Sequence, residues 1–303
     1  MVKRKALDGQ LALSTAHMHR LMDAAVDIRQ NPDAVERAYM ARQLVQATLP
    51  HSDPGDVPEW SRTNGNLSLT IRPIYKKDKG GHLYPYGSVP RLLLFWLCGE
   101  AVRKESRHIV LGKSLSEFMR QIGLEPRSGG GKYGDAKRLH SQMERLFRAT
   151  ISFETVGGPA WLDMAVAPKG MQWWDPARPH EDALWEGWIE LGEDFYNAIT
   201  AAPVPVDLRA LKALKRSPLA LDLYAWLTYT SFSASRRKQR RTVPWVGLHG
   251  QLGSEYAQLR DFRAKVRLAL KKIQLVYPAL RVEITAESLT VLPTSRTAIA
   301  SRA

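Results

Sequence analysis

Apolar residues recur along the chain at two spacings, three to four residues in the longer stretches and two in the shorter ones. Ala34, Val35, Ala38, Ala41, Leu44, Val45 and Thr48 follow the helical interval. With Asn31 as N-cap and Pro32 at the first helical position, they predict a helix over 33–48. Residues 11–29 also read as helical. Pro50, Pro54, Gly55 and Pro58 then mark a boundary. Beyond it the turn signal Asn64-Gly65 precedes the alternating Leu67, Leu69 and Ile71, a pattern that predicts a β-hairpin ending near Gly80-Gly81.

From Ser88 onward the order of elements carries more information. An apolar helix over 90–104 leads into a short strand at 108–111, a helix over 114–122, a glycine-rich turn, a helix over 135–149 and a strand at 150–153. Ser114 with Glu117 three residues on forms a capping box at the start of its helix. The tryptophan-rich stretch 161–188 reads as strands and wing-like loops. A short helix at 207–215 and an apolar one over 218–232 follow, then the basic run Arg236-Arg237-Lys238-Gln239-Arg240-Arg241. Helices at 245–252 and 254–276 and strands at 280–285 and 288–292 repeat the earlier order. Setting Tyr133 against Tyr256 pairs Leu139 with Phe262, Met143 with Val266 and Phe147 with Leu270, so the apolar faces of the two long helices share a register. Helix, strand, helix, turn, helix, strand is the layout of a winged helix-turn-helix. The expected fold is therefore α+β, with tandem winged helix-turn-helix units behind an N-terminal helical segment. The expected divisions are 1–50 for that segment, 51–200 for a first winged unit with β insertions, and 201–303 for a second.

Charge changes the picture from architecture to partner. Forty-four Lys and Arg against 30 Asp and Glu give the 303 residues a formal charge of +14, which suits an acidic partner. Nucleic acid gains most from such an excess, because neutralised phosphates release counterions. A membrane fits less well, since the longest apolar run, Leu92 to Cys98, lies between Arg91 and Glu100 and falls far short of the roughly 20 residues a span needs. Asp8, Gln10, Ser14 and His17 break up any secretory core at the start, so no export is expected. The single cysteine, Cys98, allows no intramolecular disulfide and no cysteine-rich metal site, in keeping with a reducing cytoplasm.

The two long helices carry the candidate chemistry. Burial of Leu139, Met143, Leu146 and Phe147 leaves Lys137, Arg138, Ser141, Arg145 and Arg148 on the opposite face. Burial of Leu259, Phe262, Val266, Ala269, Leu270 and Ile273 leaves Arg260, Arg267 and Lys271 opposite, flanked by Lys265 and Lys272. A helix fits the major groove, where Arg reads guanine with two bonds and Lys or Arg reaches phosphates. Lys132 in the glycine-rich turn joins this set, as do Arg236, Arg237, Lys238, Arg240 and Arg241. That run reads as a phosphate-contacting loop, an edge strand or a solvated connector.

Other chemistries fit poorly. The turn Arg127-Ser-Gly-Gly-Gly-Lys132 is no nucleotide loop, because Pro126 stands where its first glycine belongs and Tyr133 replaces the needed Ser or Thr. His17-Met-His19 matches the histidine pair of metal-dependent nicking enzymes, but it lies in a predicted helix, where residues two apart diverge by about 200°. Trp161, Trp173, Trp174, Trp185 and Trp188 lack interleaved bases, so packing is their expected role, and Trp96 and Trp226 belong to the core. No cofactor, metal or catalytic residue is expected.

The segments Tyr84-Pro-Tyr-Gly-Ser-Val-Pro-Arg-Leu-Leu-Leu-Phe-Trp-Leu-Cys-Gly-Glu-Ala-Val-Arg103, Leu115-Ser-Glu-Phe-Met-Arg-Gln-Ile-Gly-Leu124 and Met143-Glu-Arg-Leu-Phe-Arg-Ala-Thr-Ile-Ser-Phe153 resemble the plasmid-encoded RepA family of replication initiators. The resemblance covers roughly residues 45–290. It implies recognition of repeated double-stranded sites at a plasmid origin, local strand opening, and recruitment of the host initiator and helicase. Homodimerisation stays open. A transcriptional repressor built on the same two units, or a nicking enzyme using His17, His19 and a tyrosine, are the alternatives.

Overall fold

The computed structural model describes residues 15–31, 37–126, 134–172, 174–253, 256–294 and 298. Helix α1 (Thr15–Gln30) leads to strand β1 (Arg37–Ala41) and the short helix α2 (Arg42–Gln46). Of the helix expected over 33–48, residues 33–36 lie outside the described residues, and 37–46 are corrected to a strand followed by just over one helical turn. Ala38 and Met40 turn inward at a two-residue interval, and the backbone pairs antiparallel with residues 203–207, so long-range pairing overrides the local helical pattern.

Strands β2 (Trp60–Asn64) and β3 (Leu67–Arg72) form the expected hairpin around Gly65, whose φ of +58° suits a glycine in a two-residue turn. The chain does not continue that hairpin to Gly80. Strands β4 (Ile74–Lys76) and β5 (Gly81–Leu83), joined by a 3-10 turn at Lys77–Lys79, make a second one.

Helix α3 (Ser88–Lys104) is buried on every side as far as Ala101. Strand β6 (His108–Gly112), helix α4 (Leu115–Gln121) and helix α5 (Asp135–Phe147) follow. The Ser114 hydroxyl accepts from the Glu117 backbone N–H at 3.4 Å, so half of the capping box is made. Strands β7 (Thr150–Thr155), β8 (Trp161–Ala165), β9 (Lys169–Met171) and β10 (Gly187–Glu190) account for the tryptophan-rich region. Helix α6 (Glu193–Ala201) and strand β11 (Pro203–Asp207) were not expected from the sequence, although Phe195, Ala198 and Ile199 carry the helical interval and Glu193 and Asp194 favour a helix start. Helices α7 (Leu208–Leu214) and α8 (Pro218–Arg237), strand β12 (Arg241–Pro244), helices α9 (Trp245–Leu252) and α10 (Leu259–Val276), and strands β13 (Val282–Ile284) and β14 (Ser288–Val291) complete the order.

Two segments share one plan. In α3-β6-α4-α5 the last two strands, β9 and β10, join β6 in the order β6-β10-β9; in α8-β12-α9-α10 the last two, β13 and β14, join β12 in the order β12-β14-β13. In both, the first strand pairs with the last. The first segment differs by an insertion: β7 and β8 leave it to build a four-stranded antiparallel sheet with the upstream hairpin, in the order β2-β3-β7-β8. The aligned residues behave alike, with Leu139, Met143 and Phe147 buried on α5 and Phe262, Val266 and Leu270 buried on α10. One apolar cluster runs from Leu21 to Val291 through both segments. Helix α1 packs against α7 and α10, where Arg209 bonds Asp27 and the Asn31 carbonyl, each at 3.0 Å.

Candidate nucleic-acid interface

The solvent face of α5 follows from what its opposite face buries. Lys137, Arg138 and Arg148 are exposed, while Ser141 and Arg145 are half-buried at the face's edge. Arg145, expected among the solvent-facing cations, is folded against its own chain. Its Nη1 donates to Tyr84 O at 3.1 Å and meets Asp53 at 3.3 Å, its Nε donates to Ser141 Oγ at 3.3 Å, and its guanidinium lies over the Tyr86 ring. It fastens α5 to the segment before α3. Lys132 falls outside the described residues.

Glu144, on the same helix, collects Lys76, Lys79 (2.9 Å) and Arg148 (4.0 Å), tying the β4–β5 hairpin to α5. Burial alone would raise its pKa, but the bonds from Lys76 and Lys79 overrule that and hold it down at about 2. A depressed carboxylate contributes stability that is complete above its unfolded value near 4.5 and is lost as the pH falls toward 2. Glu144→Gln is therefore expected to flatten the acid limb of stability between those values, as read from urea midpoints measured against pH.

On α10, Arg260, Arg267 and Lys271 are exposed on one stripe. Arg260 has Asp261 beside it at 3.5 Å, whereas Arg267 and Lys271 have no ion-pair partner among the described residues. Lys272 is half-buried, and burial together with neighbouring Lys265 lowers its pKa. Arg263, which the sequence did not single out, lies over the Trp245 ring at 5.5 Å and fastens α9 to α10. The basic run is exposed throughout. Arg236 and Arg237 end α8, where cations offset the helix dipole; Lys238 caps it in a left-handed conformation (φ 53°), and Arg241 opens edge strand β12.

The leading helices of the two similar segments are joined by a buried charge cluster that the sequence also left unmarked. Arg91 on α3 donates from Nε and Nη2 to the two carboxylate oxygens of Asp222 on α8, each at 2.7 Å. Its remaining donors reach Leu49 O at 2.6 Å, Gly87 O at 2.8 Å and Pro50 O at 3.0 Å. His51 approaches the same carboxylate at 3.1 Å. A charged residue inside an otherwise apolar helix was the available signal, and both Arg91 and Asp222 show it.

His17 and His19 lie on α1, and among the described residues no group of three His, Cys, Asp or Glu is placed to hold a metal ion. Trp96, Trp174 and Trp226 are buried, Trp188 half-buried, and Trp161 and Trp185 exposed; Trp173 lies outside the described residues. Among the described residues, no helix is long and apolar enough to cross a membrane.

A family model described as plasmid encoded RepA protein matches residues 84–246, from the Tyr84 motif through α8 and into α9. The chain belongs to the plasmid-encoded RepA family. This is a family of replication initiators, so the chain's role is related to replication from a plasmid origin. No curated protein sequence matches it. A crystal structure of domain 2 and domain 3 of RctB, in selenomethionine form, superposes with a TM-score of 0.50 at 11% identity, covering 82% of this chain and 94% of that one. A second crystal structure, of RctB domains 2–3, gives 0.45 at 7% identity, covering 83% and 96%. The first match shows that this RepA-family chain shares the mixed helix and strand fold of those domains.

Proposed function

We propose that this RepA-family chain starts plasmid replication by binding repeated duplex sites at the origin through two winged-helix units, with α5 and α10 as the helices that enter the major groove. It then opens the duplex locally and recruits the host initiator and helicase, and it has no catalytic role of its own. The observation that carries the reading is the recurrence of one plan with one strand order, each copy carrying a long helix, α5 or α10, with exposed cations. The match to a chain described as two RctB domains, over nearly its whole length, supports dividing the molecule into two units. The first would centre on residues 51–200 and the second on 201–303, with α1 and the rest of 1–50 as an appended segment.

In this reading Lys137, Arg138 and Arg148 face DNA from α5, and Arg260, Arg267 and Lys271 from α10. Ser141 and Lys272 lie at the margins of those faces, Lys132 is a further proposed contact from its position in the sequence just ahead of α5, and the run Arg236 to Arg241 contacts phosphates. Two such helices on one chain can address successive major grooves about 34 Å apart. Linking them raises the effective concentration for the second contact.

Footprinting on the cognate origin tests the reading. Protection of repeated sites, with binding at least a thousandfold or so tighter than to random duplex at the same salt, is the expected result. Equal affinity for both DNAs would remove the origin-recognition role. Arg145→Ala separates fold from contact: its guanidinium being held internally, the variant should lose about 1–2 kcal/mol of stability. The salt dependence of binding should not change, as fluorescence anisotropy titrations at several salt concentrations would show.

A further inference from the structure

The connection between β9 and β10 occupies the wing position of the first unit, yet its chemistry is wrong for phosphate. Asp175, Glu181, Asp182 and Glu186 stand against the single base Arg178, which itself pairs with Asp175 and Glu181. Four acids and one base leave three negative charges in excess on a chain of +14. DNA repels such a loop.

The loop is nevertheless held in place. Trp174 is buried with its ring against Phe118, Ser116 N–H donates to Pro179 O at 2.8 Å, and Ala183 N–H donates to Lys113 O at 2.9 Å. These bonds pin it to the first turn of α4. The next two residues, Leu184 and Trp185, are 95% and 68% exposed. Two large apolar side chains side by side, on an anchored stem and rimmed by acids, form a plug awaiting an apolar pocket with a basic rim.

The same chain carries such a pocket just past the other end of α4. A groove of about 560 Å3 opens between α1, α7 and the Gly123-Leu124 turn, with Ala24, Leu124 and Ala213 among its apolar lining. Arg20, Arg120, Lys212, Lys215 and Arg216 stand around it with Arg209, against Asp23, Asp27 and Glu125, leaving three positive charges in excess. Arg209 is taken up by Asp207 and Asp27, and Arg20 pairs with Glu125 at 3.8 Å, so the remaining charged lining is Arg120, Lys212, Lys215 and Arg216 against Asp23. Plug and groove are opposite in charge, and Ala24, Leu124 and Ala213 are the groove's apolar side chains for the plug to meet. With Leu184 almost wholly exposed, the plug does not occupy the groove of its own chain.

We infer that the Leu184-Trp185 plug of one copy seats in the groove of a second copy. A reciprocal two-fold exchange of these patches would close at two copies, whereas the contact inferred here is head-to-tail and leaves a free plug and a free groove at the ends. Such a contact repeats by translation along tandem sites of one orientation. This last step rests on the proposed binding of origin repeats; the contact between copies does not.

Sedimentation of the full chain without DNA tests the contact directly. The wild type should associate as its concentration rises, and high salt should reverse this. Leu184→Ala/Trp185→Ala, which lacks the plug, and Arg120→Glu/Arg216→Glu, which damages the groove, should each stay monomeric with unchanged unfolding midpoints. Mixing the two variants should produce a species of two copies and no larger, since one intact plug meets one intact groove. A monomeric wild type, association surviving in both variants, or a mixture that stays monomeric would overturn the inference. On DNA, either variant should bind a single site within about twofold of wild type and lose roughly tenfold in cooperative filling of a tandem pair. Failure of single-site binding by the wild type would count against the proposed function alone.

Discussion

Replacing Asp222 by alanine is expected to remove about 3–5 kcal/mol of stability, because it leaves a buried charge without its partner. The carboxylate is 6% exposed and receives both a two-pronged Arg91 and His51. Taking it away strands the Arg91 guanidinium in a site that is itself 1% exposed. The carbonyls of Leu49, Pro50 and Gly87 remain as acceptors, but none carries the opposing charge. Burial by itself would raise the Asp222 pKa, yet the charge of Arg91 and the His51 bond hold it far below the usual carboxylate range. The stability it contributes is thus complete above the ordinary aspartate range and is lost only in strong acid. Asp222→Asn keeps the shape and two acceptor lone pairs on one oxygen, so it should fall between wild type and alanine. Urea unfolding of the three proteins measures the order, and equal midpoints for wild type and Asp222→Ala would show that the cluster contributes no net stability. The same cluster clamps α3 to α8, the helices that lead the two similar segments.

That clamp illustrates what a sequence shows and what it withholds. The repeat was legible because its evidence is local: amphipathic spacing in α5 and α10, the Ser114 cap, and turn residues at Gly65 all act within a few positions of themselves. Strand β1 was not, since Ala38 and Ala41 fit a helical interval and only pairing with β11, far along the chain, makes them extended. Pro203 and Pro205 hid β11 in the same way, being poor strand residues that a two-stranded edge pairing accommodates. The exposed faces of α5 and α10 were predicted as stripes, which periodicity supports. Which cations are engaged elsewhere depends on residues remote in sequence. Arg145 looks like Arg138 in a helical wheel until Asp53, Tyr84 and Tyr86 are brought beside it. Arg91 and Asp222 each appear as one charge lost in an apolar helix, and only their meeting across the core gives them a purpose.

The distinction between engaged and free cations leads to the second large effect. A variant carrying Lys137→Ala, Arg138→Ala, Arg267→Ala and Lys271→Ala removes four exposed cations, two from each helix, without touching a buried side chain. If all four meet phosphates, the slope of log affinity against log salt should fall by about 3.6, since each neutralised phosphate of duplex DNA contributes roughly 0.9. Affinity for an origin site near physiological salt should drop by roughly a thousandfold, taking about 1 kcal/mol for each contact. If one of the arginines instead reads a base, its removal relaxes sequence preference at that position and the slope falls by correspondingly less. The unfolding midpoint should stay where it is, because none of the four has an ion-pair partner among the described residues whose loss would strand a charge. Anisotropy titrations across a salt series, paired with urea unfolding, read both quantities on the same protein. A thousandfold loss with an unchanged midpoint places duplex DNA on α5 and α10. An unchanged affinity would mean that the +14 charge serves another surface, and the repeated plan would then be an architecture without the contact proposed for it.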